Sequence, residues 1–361
     1  MDNLFDSGIL GAAVRVLERF PPRESLTLLF GDSRIRVTSN DPNLIAALRR
    51  YYRVFTAVSS NNINIEVMAL EGPTIDPGKG LVVKPPDPGK MKIKEEYREI
   101  PGGRVVRKRL TGMIFVFGSG VNLAIGPCLT NANQVINFIN SRYIQWMLDR
   151  GCLLFHAAGV CQGRTGLALA GFAGRGKSTL ALRLVRKGWR FVSNDRLLVK
   201  KGEGRKTMYG VAKLPRVNPG TLLADPALHG VLSEGDRRRY AEVPALRLWD
   251  LEHKHDVYLD EVFGEETFVL CAPLSALVLL NWKKDIGMPC FRLVDLRERN
   301  DLMRSFVKSP GLFYQPDPNH PLPDFSVERY LEVLNGSPVF EVTGGIDFNE
   351  AARFVASLQN G

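Results

Sequence analysis

The sequence is poor in the features that define several classes of protein. Its 361 residues include only five cysteines, an odd number with no CxxC spacing. This pattern indicates neither a disulfide framework nor a zinc site. Several of the cysteines lie in apolar runs, where a thiol usually serves as a small core hydrophobe. The five are Cys128, Cys152, Cys161, Cys271 and Cys290.

Long apolar runs are also missing. The longest stretches, such as residues 276–280, are far too short to cross a bilayer. Residues 1–11 contain Asp2 and Asp6 and have neither the basic nor the apolar region of a signal peptide. We therefore expect a cytoplasmic protein without a membrane partner.

Acidic residues are fewer than basic ones. The chain has 48 lysines and arginines against 38 aspartates and glutamates, for a net charge of +10. This balance favours anionic partners, but no zinc finger or RRM-like aromatic pattern indicates a nucleic-acid reader. One basic cluster is either a solvated helix face or a docking surface for an acidic partner. It comprises Arg183, Arg186, Lys187, Arg190, Arg196, Lys200, Lys201, Arg205 and Lys206.

The length favours two domains, and we place the boundary near Gly151. Residues 1–150 mix helical and strand patterns without a catalytic motif, which predicts an N-terminal α+β domain with an accessory, interaction or oligomerisation role. The predicted helices are 4–20, 41–54 with Asp41 as cap, and 131–150. The predicted strands are 26–30, 34–37, 63–70, 105–110, 113–117 and 121–125, with a Pro- and Gly-rich stretch at 71–103 that includes a turn at Asp87–Lys90.

Residues 151–361 alternate apolar strands with helices, which favours an α/β core. The predicted strands are 153–160, 166–170, 190–192, 276–282 and 339–342. The predicted helices are 178–187 and 349–358.

The strongest motif is a glycine loop at residues 171–178, which satisfies the GxxxxGK(S/T) pattern of a P-loop. Glycines let successive backbone N–H groups surround a phosphate. Lys177 is placed to reach the β- and γ-phosphates, and the Ser178 hydroxyl to coordinate Mg²⁺. The predicted strand before the loop and helix after it are the context that the motif requires. The predicted nucleotide-binding residues are Gly171, Phe172, Ala173, Gly174, Arg175, Gly176, Lys177, Ser178 and Thr179.

Two missing motifs narrow the class of P-loop protein. The chain has no NKxD guanine-reading motif and no LSGGQ-like signature, and its nearest approach to an apolar strand before a DE pair is the short run 257–261. The common motor families are therefore disfavoured, while the choice between ATP and GTP stays open.

A resemblance emerges from three closely spaced segments. These are a His-containing run at 155–160, the glycine loop, and a run at 188–196 that ends in Asn194-Asp195-Arg196. In this order they resemble the HPr kinase/phosphorylase family, and more specifically the HPr-kinase-related kinases of the kinase B type. The resemblance covers residues 151 to about 358 and is specific in the first third of that span.

The resemblance implies a P-loop kinase core of the HPr kinase / phosphoenolpyruvate carboxykinase type, with ATP and Mg²⁺ as cofactors. Carried over by position, Lys177 and Ser178 hold the triphosphate and metal, His156 is the family histidine, and Asn194 and Asp195 are the family's acidic pair. The first member of that pair is an aspartate in the bifunctional enzymes and an asparagine here, so reverse phosphorolysis stays open. Family members often assemble, which makes a homo-oligomer one expectation.

The residues themselves leave several roles open. Asp195 follows a strand that we expect beside the strand of the glycine loop, so it serves either as the base for an acceptor hydroxyl or as a partner of Mg²⁺. His156 lies in an apolar strand, where a lone histidine is usually a core residue, although the resemblance favours the active site. Arg216 lies in a basic loop that, by the same resemblance, neutralises the transferring phosphoryl group; a surface turn is the alternative.

A polar segment at residues 249–256 carries His253 and His255. Residues two apart do not share a helix face, so a zinc site there is disfavoured. The leading hypothesis is an ATP-dependent kinase, a phosphotransferase whose acceptor, by analogy with the family, is a serine of a protein or peptide. The alternatives are a P-loop kinase acting on a small-molecule hydroxyl and a non-catalytic ATP-binding scaffold.

Overall fold

The computed structural model describes residues 8–59, 61–86, 91–248, 251, 253–284, 286–316 and 320–359. The chain divides into two compact units, Met1–Arg150 with Pro310–Pro323 and Gly151–Ser309 with Asp324–Gly361. Residues 310–323 are expected in the second domain, whereas the structure groups the described part of this segment, 310–316 and 320–323, with the first unit. Residues 1–7, the turn at 87–90, and Trp249, Asp250 and Glu252 lie outside the described residues.

The first unit is a mixed sheet with helices. Among the described residues, eight strands form one sheet in the order β1-β2-β3-β8-β7-β6-β5-β4. The elements are α1 Gly8–Arg19, β1 Glu24–Phe30, β2 Ser33–Ser39, α2 Pro42–Tyr51, β3 Ile65–Glu71, β4 Val82–Val83, β5 Glu95–Ile100, β6 Gly103–Lys108, β7 Ile114–Gly118, β8 Val121–Gly126 and α3 Ala132–Leu148. The predicted hairpin, the meander and the Asp41 cap, which accepts a hydrogen bond from Asn43 N, are confirmed.

Strand β5 was not predicted, because its residues form ion pairs with β6 and do not alternate between apolar and polar. Glu96 pairs with Arg107 at 3.1 Å, and Glu95 pairs with Lys108 on β6. Side chains of opposite charge that face each other across two antiparallel strands stabilise the pairing, as apolar side chains do. Such strands do not show the apolar alternation by which a strand is recognised in a sequence.

An arginine inside the first unit holds the segment 310–316. Arg142 is buried on α3, and its guanidinium donates to the carbonyl oxygen of Phe313 and lies 4.3 Å from the ring centre of Phe117. The Phe313 ring stacks on Phe117 at 5.6 Å and meets Phe115 edge-on at 5.4 Å. These contacts explain why the segment belongs to this unit.

The second unit is an α/β body with more than one sheet. Among its described residues, one sheet has the order β12-β10-β11-β18-β20-β19 and another the order β17-β14-β13-β9. Its strands are β9 Leu153–Phe155, β10 Ala157–Gln162, β11 Thr165–Gly171, β12 Arg190–Ser193, β13 Leu197–Lys201, β14 Lys206–Gly210, β15 Arg216–Val217, β16 His255–Asp256, β17 Cys271–Pro273, β18 Ala276–Leu280, β19 Pro289–Leu293 and β20 Val339–Gly344. Its helices are α4 Lys177–Arg186, α5 Pro219–Ala224, α6 Glu234–Ala241, α7 Ala245–Leu248, α8 Leu259–Phe263, α9 Val327–Leu334 and α10 Phe348–Ser357.

The predictions of β11, α4, β12, β18, β20 and α10 are confirmed to within a residue or two. The prediction of one strand over residues 153–160 is wrong. The chain breaks at His156, and β9 and β10 on either side belong to different sheets. The apolar run gave no sign of this break, because both strands are buried on both faces.

The core of this unit lies around Phe155, Phe306 and Tyr330. Phe155 stacks on Phe306 at 5.5 Å, and the Tyr330 hydroxyl donates to the carbonyl oxygen of Leu154 at 2.6 Å. Of the cysteines, Cys128, Cys152 and Cys161 are buried as expected, whereas Cys271 and Cys290 are exposed. Within the described part of the chain, the helices are too short or too polar to cross a membrane.

Close backbone packing at Gly210 predicts a stability effect. A Cβ at Gly210 would overlap the carbonyl oxygen of Val192, which a backbone cannot easily withdraw. We expect Gly210→Ala to destabilise the protein by about 1–3 kcal/mol, measured as a lower urea midpoint by circular dichroism. Gly235→Ala, where a Cβ meets open space on a helix, should leave the midpoint unchanged or slightly higher. Equal midpoints for Gly210→Ala and the unmodified chain would contradict this packing.

Candidate active site

The glycine loop joins β11 to α4 in the second unit. Gly171 ends β11, and Gly176 precedes the first residue of α4 with a φ of +82°. A Cβ at Gly176 would lie 2.5 Å from the Phe348 ring, and one at Gly171 would lie 2.6 Å from the carbonyl oxygen of Leu280. Both positions therefore need glycine, which agrees with the spacing of the motif.

The Arg175 side chain fixes the loop from behind. Its guanidinium donates to the carbonyl oxygen of Trp282 at 2.6 Å, and the Trp282 indole N–H donates back to the Arg175 carbonyl at 2.8 Å. Trp282 is fully buried and meets Phe348 edge-on. Arg175 thus anchors the loop with its side chain, whereas Phe172 and Ala173 are exposed at the tip.

Lys177 lies against the loop carbonyls. Its ammonium donates to the carbonyl oxygen of Gly171 at 2.7 Å and approaches that of Phe172 at 3.4 Å. Burial lowers the pKa of Lys177 to about 8; Asp195 opposes this shift, while Lys308 and Lys254 add to it. An anion beside this lysine would relieve both the burial of its charge and the repulsion from the neighbouring lysines.

His156, Asp195 and Lys308 form one cluster. His156 Nδ1 lies 3.5 Å from Asp195 Oδ1 and 3.1 Å from Lys308 Nζ, and Lys308 Nζ lies 3.6 Å from Asp195 Oδ2. Burial lowers the pKa of His156 to about 4, although Asp195 acts in the opposite direction. The structure therefore brings the side chains of His156 and Asp195 together.

Asp195 reaches this cluster from a different place in the sheet than predicted. It follows β12, and β10 lies between β12 and β11, so the expectation that its strand adjoins the strand of the glycine loop is wrong. The Ser193 hydroxyl donates to the Arg196 carbonyl and accepts from Val211 N, which shapes the turn that presents Asp195.

Cations keep Asp195 ionised. Burial alone would raise the pKa of Asp195, but the surrounding cations outweigh it and lower the pKa below its ordinary value. In decreasing order of effect, those cations and partners are Lys308, His156, Arg196 and Lys177. Lys213 also faces Asp195, and burial lowers its own pKa to about 8.

Oxygen donors lie next to the loop. Asn194 Oδ1 is buried and has no hydrogen-bond partner within the described residues. Ser178 is half-buried on the first turn of α4, and Thr179 Oγ1 lies 3.5 Å from Thr221 Oγ1. A hydroxyl, an amide oxygen and a carboxylate are each of the kind of oxygen ligand that a hard cation prefers.

The described partners of Arg216 are not members of the cluster. Its guanidinium pairs with Asp256 at 3.2 Å and donates to the carbonyl oxygen of Lys254 at 3.0 Å, where β15 meets β16. The structure describes no contact of Arg216 with Asp195 or His156.

The two histidines of the 249–256 segment share one partner. The Tyr240 hydroxyl lies 3.0 Å from His253 Nδ1 and 3.2 Å from His255 Nε2. Among the described residues, no three His, Cys, Asp or Glu side chains are grouped to hold a metal ion.

Sequence reasoning missed Lys308 and Lys213 as members of this site. Lys213 lies in the same basic loop as Arg216, but only Arg216 was predicted to be a site residue. Lys308 stands 152 positions after His156 in a segment without a motif, so no local pattern could have identified it.

Comparison with known proteins gives a distant fold-level link. No protein-family model matches the chain, and no curated protein matches it either. A solved structure, the Hpr(Ser) kinase/phosphatase from Coxiella burnetii, is similar over 57% of this chain and 88% of its own, at 15% identity and a TM-score of 0.30. A likeness this distant says nothing about the reaction.

The cluster predicts an unusual histidine titration. We expect His156 to stay neutral down to about pH 4, well below the ordinary value near 6.5, because the ring is buried and because protonation would place a further cation beside Lys177 and Lys308. Since Asp195 raises this pKa, Asp195→Asn should lower it further. NMR titration of labelled histidine, assigned with His156→Gln, measures both values. A midpoint near 6.5 would contradict the burial of the ring.

Proposed function

We propose that this protein is an ATP-dependent kinase that transfers the γ-phosphoryl group to a hydroxyl. One observation carries the proposal. The lysine of the glycine loop and the Asp195 carboxylate are close enough for each to shift the pKa of the other, so a group suited to bind phosphate lies near a group suited to accept a proton.

Several features support nucleotide binding at the loop. The strand, the loop and the helix follow one another in the order that the motif requires, and Gly171 and Gly176 occupy positions without room for a side chain. The start of α4 offers backbone N–H groups to an anion. Lys177, already bound to carbonyl oxygens, exchanges them for phosphate oxygens in this proposal.

In the proposed reaction, the acceptor oxygen attacks the γ-phosphorus and forms the new O–P bond. The bond from that phosphorus to the oxygen bridging it to the β-phosphate breaks, and ADP leaves. The hydroxyl proton passes to the Asp195 carboxylate, which its neighbours keep ionised. Lys177 neutralises charge on the phosphates.

His156 and Arg216 have less direct roles in the proposal. A neutral His156 offers an N–H to a phosphoryl oxygen, whereas Arg216 would first have to exchange Asp256 for the phosphoryl group. Arg216 therefore stays a prediction from the resemblance, with the weakest structural support of the four catalytic candidates.

The residues present fit a magnesium ion. The Asn194 oxygen, buried without a partner among the described residues, suits a hard cation or its bound water, together with the Ser178 hydroxyl and the Asp195 carboxylate. Mg²⁺ needs only one or two protein oxygens when phosphates supply the others. When bound, it neutralises phosphate charge during transfer.

The acceptor is proposed to be a serine of a protein or peptide, in line with the sequence resemblance. The positive charges around Asp195 favour an acceptor with acidic character. A small-molecule hydroxyl is the alternative.

Lys177→Ala tests the kinase proposal. We expect purified protein with γ-labelled ATP, Mg²⁺ and host lysate to label an acceptor, and Lys177→Ala to lower the rate by about 100-fold or more, because the lysine stabilises charge in the transition state. Lys187→Ala removes an exposed lysine at the far end of the same helix and should retain full labelling.

The fraction that carries the label distinguishes the alternatives. Label in low-mass fractions indicates a small-molecule acceptor. A rise in melting temperature with Mg·ATP but no transfer to any acceptor indicates the non-catalytic scaffold, and recovery of transfer in Asn194→Asp would trace the loss to that position.

Asp195→Asn distinguishes the base from the metal partner. If Asp195 accepts the proton, we expect kcat to fall by about 10²–10⁴-fold with little change in the Kd of Mg·ATP. If it chiefly holds the metal, the Kd should rise, and higher Mg²⁺ should restore part of the rate. Titration calorimetry and steady-state kinetics on the same preparations measure both quantities.

A further inference from the structure

Backbone pairing, and not only the length of its side chain, brings Lys308 to the cluster. Phe155 and Val307 form an antiparallel bridge, and His156 N donates to the Phe306 carbonyl at 2.7 Å. The bridge therefore sets His156 and Lys308 side by side at the break between β9 and β10.

Tyr330 holds the same two chain segments from the core. Its fully buried hydroxyl lies 2.6 Å from the carbonyl oxygen of Leu154 and 3.4 Å from that of Lys308. Because the backbone is fixed on both sides, the approach of Lys308 Nζ to His156 Nδ1 does not depend on a mobile loop.

The protons in this contact can be assigned from chemistry. An ammonium group only donates, so a lysine Nζ 3.1 Å from His156 Nδ1 requires Nδ1 to be unprotonated. The single ring proton must then sit on Nε2, and the 3.5 Å approach of Nδ1 to Asp195 Oδ1 is not a hydrogen bond. Without Lys308, Nδ1 would be free to carry the proton and donate it to Asp195.

We propose that Lys308 is a positioning residue, which donates to His156 Nδ1, fixes the ring as the neutral Nε2–H tautomer and holds the Asp195 carboxylate beside it. Its effect on phosphoryl transfer rests on the proposed function, whereas its effect on the histidine does not. With Nδ1 engaged, Nε2–H is the one donor that the ring can offer to a ligand.

Other charges face the same groups and must be separated from Lys308. Asp195 acts to raise the pKa of His156, while Lys177 and Arg196 act with Lys308 to lower it. Asp195 is faced by Lys308, His156, Arg196, Lys177 and Lys213. The Lys308 nitrogen lies in hydrogen-bond reach of the ring, so the tautomer, rather than the charge alone, identifies its role.

The test is the ¹⁵N spectrum of labelled histidine in the nucleotide-free protein at pH 7, assigned with His156→Gln. The unmodified protein should show His156 protonated at Nε2 and not at Nδ1. In Lys308→Met the proton should move to Nδ1, while Lys308→Arg should restore the Nε2–H form. Lys206→Met removes a lysine that contacts Ser337 instead and should leave the proton on Nε2.

Two results would overturn the proposal. One is an Nδ1–H ring in the unmodified protein, which needs no variant and hence no assumption about folding. The other is an unchanged Nε2–H tautomer in a folded Lys308→Met.

Steady-state kinetics give a second test of the role of Lys308. Where transfer is measurable, we expect Lys308→Met to lower kcat by about 10–100-fold with the KM for Mg·ATP changed less than about threefold, and Lys308→Arg to recover most of the loss. An equal loss in Lys206→Met would count against a positioning role. If no variant transfers phosphate, the kinase proposal fails while the tautomer still decides the role of Lys308.

Discussion

The negative charge of Asp195 is the feature on which the arrangement of the candidate site depends. Lys177, Lys308, Arg196 and Lys213 all face it, and its charge offsets their mutual repulsion. At the 3.6 Å that separates Lys308 from Asp195, attraction between unit charges is about 5 kcal/mol at an effective dielectric constant of 20. Because Asp195 is about half exposed, the net gain for one pair is nearer 1 kcal/mol. The cluster therefore depends on several weak pairs rather than on one strong bond.

The fold supplies the groups of the site from four places. The glycine loop contributes Lys177 after β11, the turn after β12 contributes Asp195, and the break between β9 and β10 contributes His156. The bridge between Phe155 and Val307 then adds Lys308. The break at His156 separates two sheets. Because His156 belongs to neither strand, its side chain does not follow the alternation of strand side chains that would otherwise bury it in one of these sheets. The same irregularity thus divides the architecture and creates the site.

Sequence patterns predicted the elements whose signals are local. The strand before the glycine loop, the helix after it and the meander of the first unit each show their period within about ten residues. The glycine loop itself was predictable because its residues lie at a fixed local spacing, although the groups that exclude a Cβ at Gly171 and Gly176 come from the distant Leu280 and Phe348. Predictions failed where distant parts of the chain decide the structure: the apolar run at 153–160 is continuous although its halves join different sheets, and β5 is charged because β6 supplies the opposite charges. Lys308 could not be found for the same reason, since its partners lie more than a hundred positions away.

The position of residues 310–316 has a practical consequence for producing the two units as separate fragments. The segment begins two residues after Lys308, yet its Phe313 lies among Phe115 and Phe117 and its carbonyl is bound by Arg142. A fragment beginning at Gly151 would leave the Phe313 ring without its apolar neighbours, and a fragment ending at Arg150 would retain a guanidinium buried without its acceptor. The second unit is therefore best isolated with a linker in place of 310–323 rather than by a single cut at Gly151.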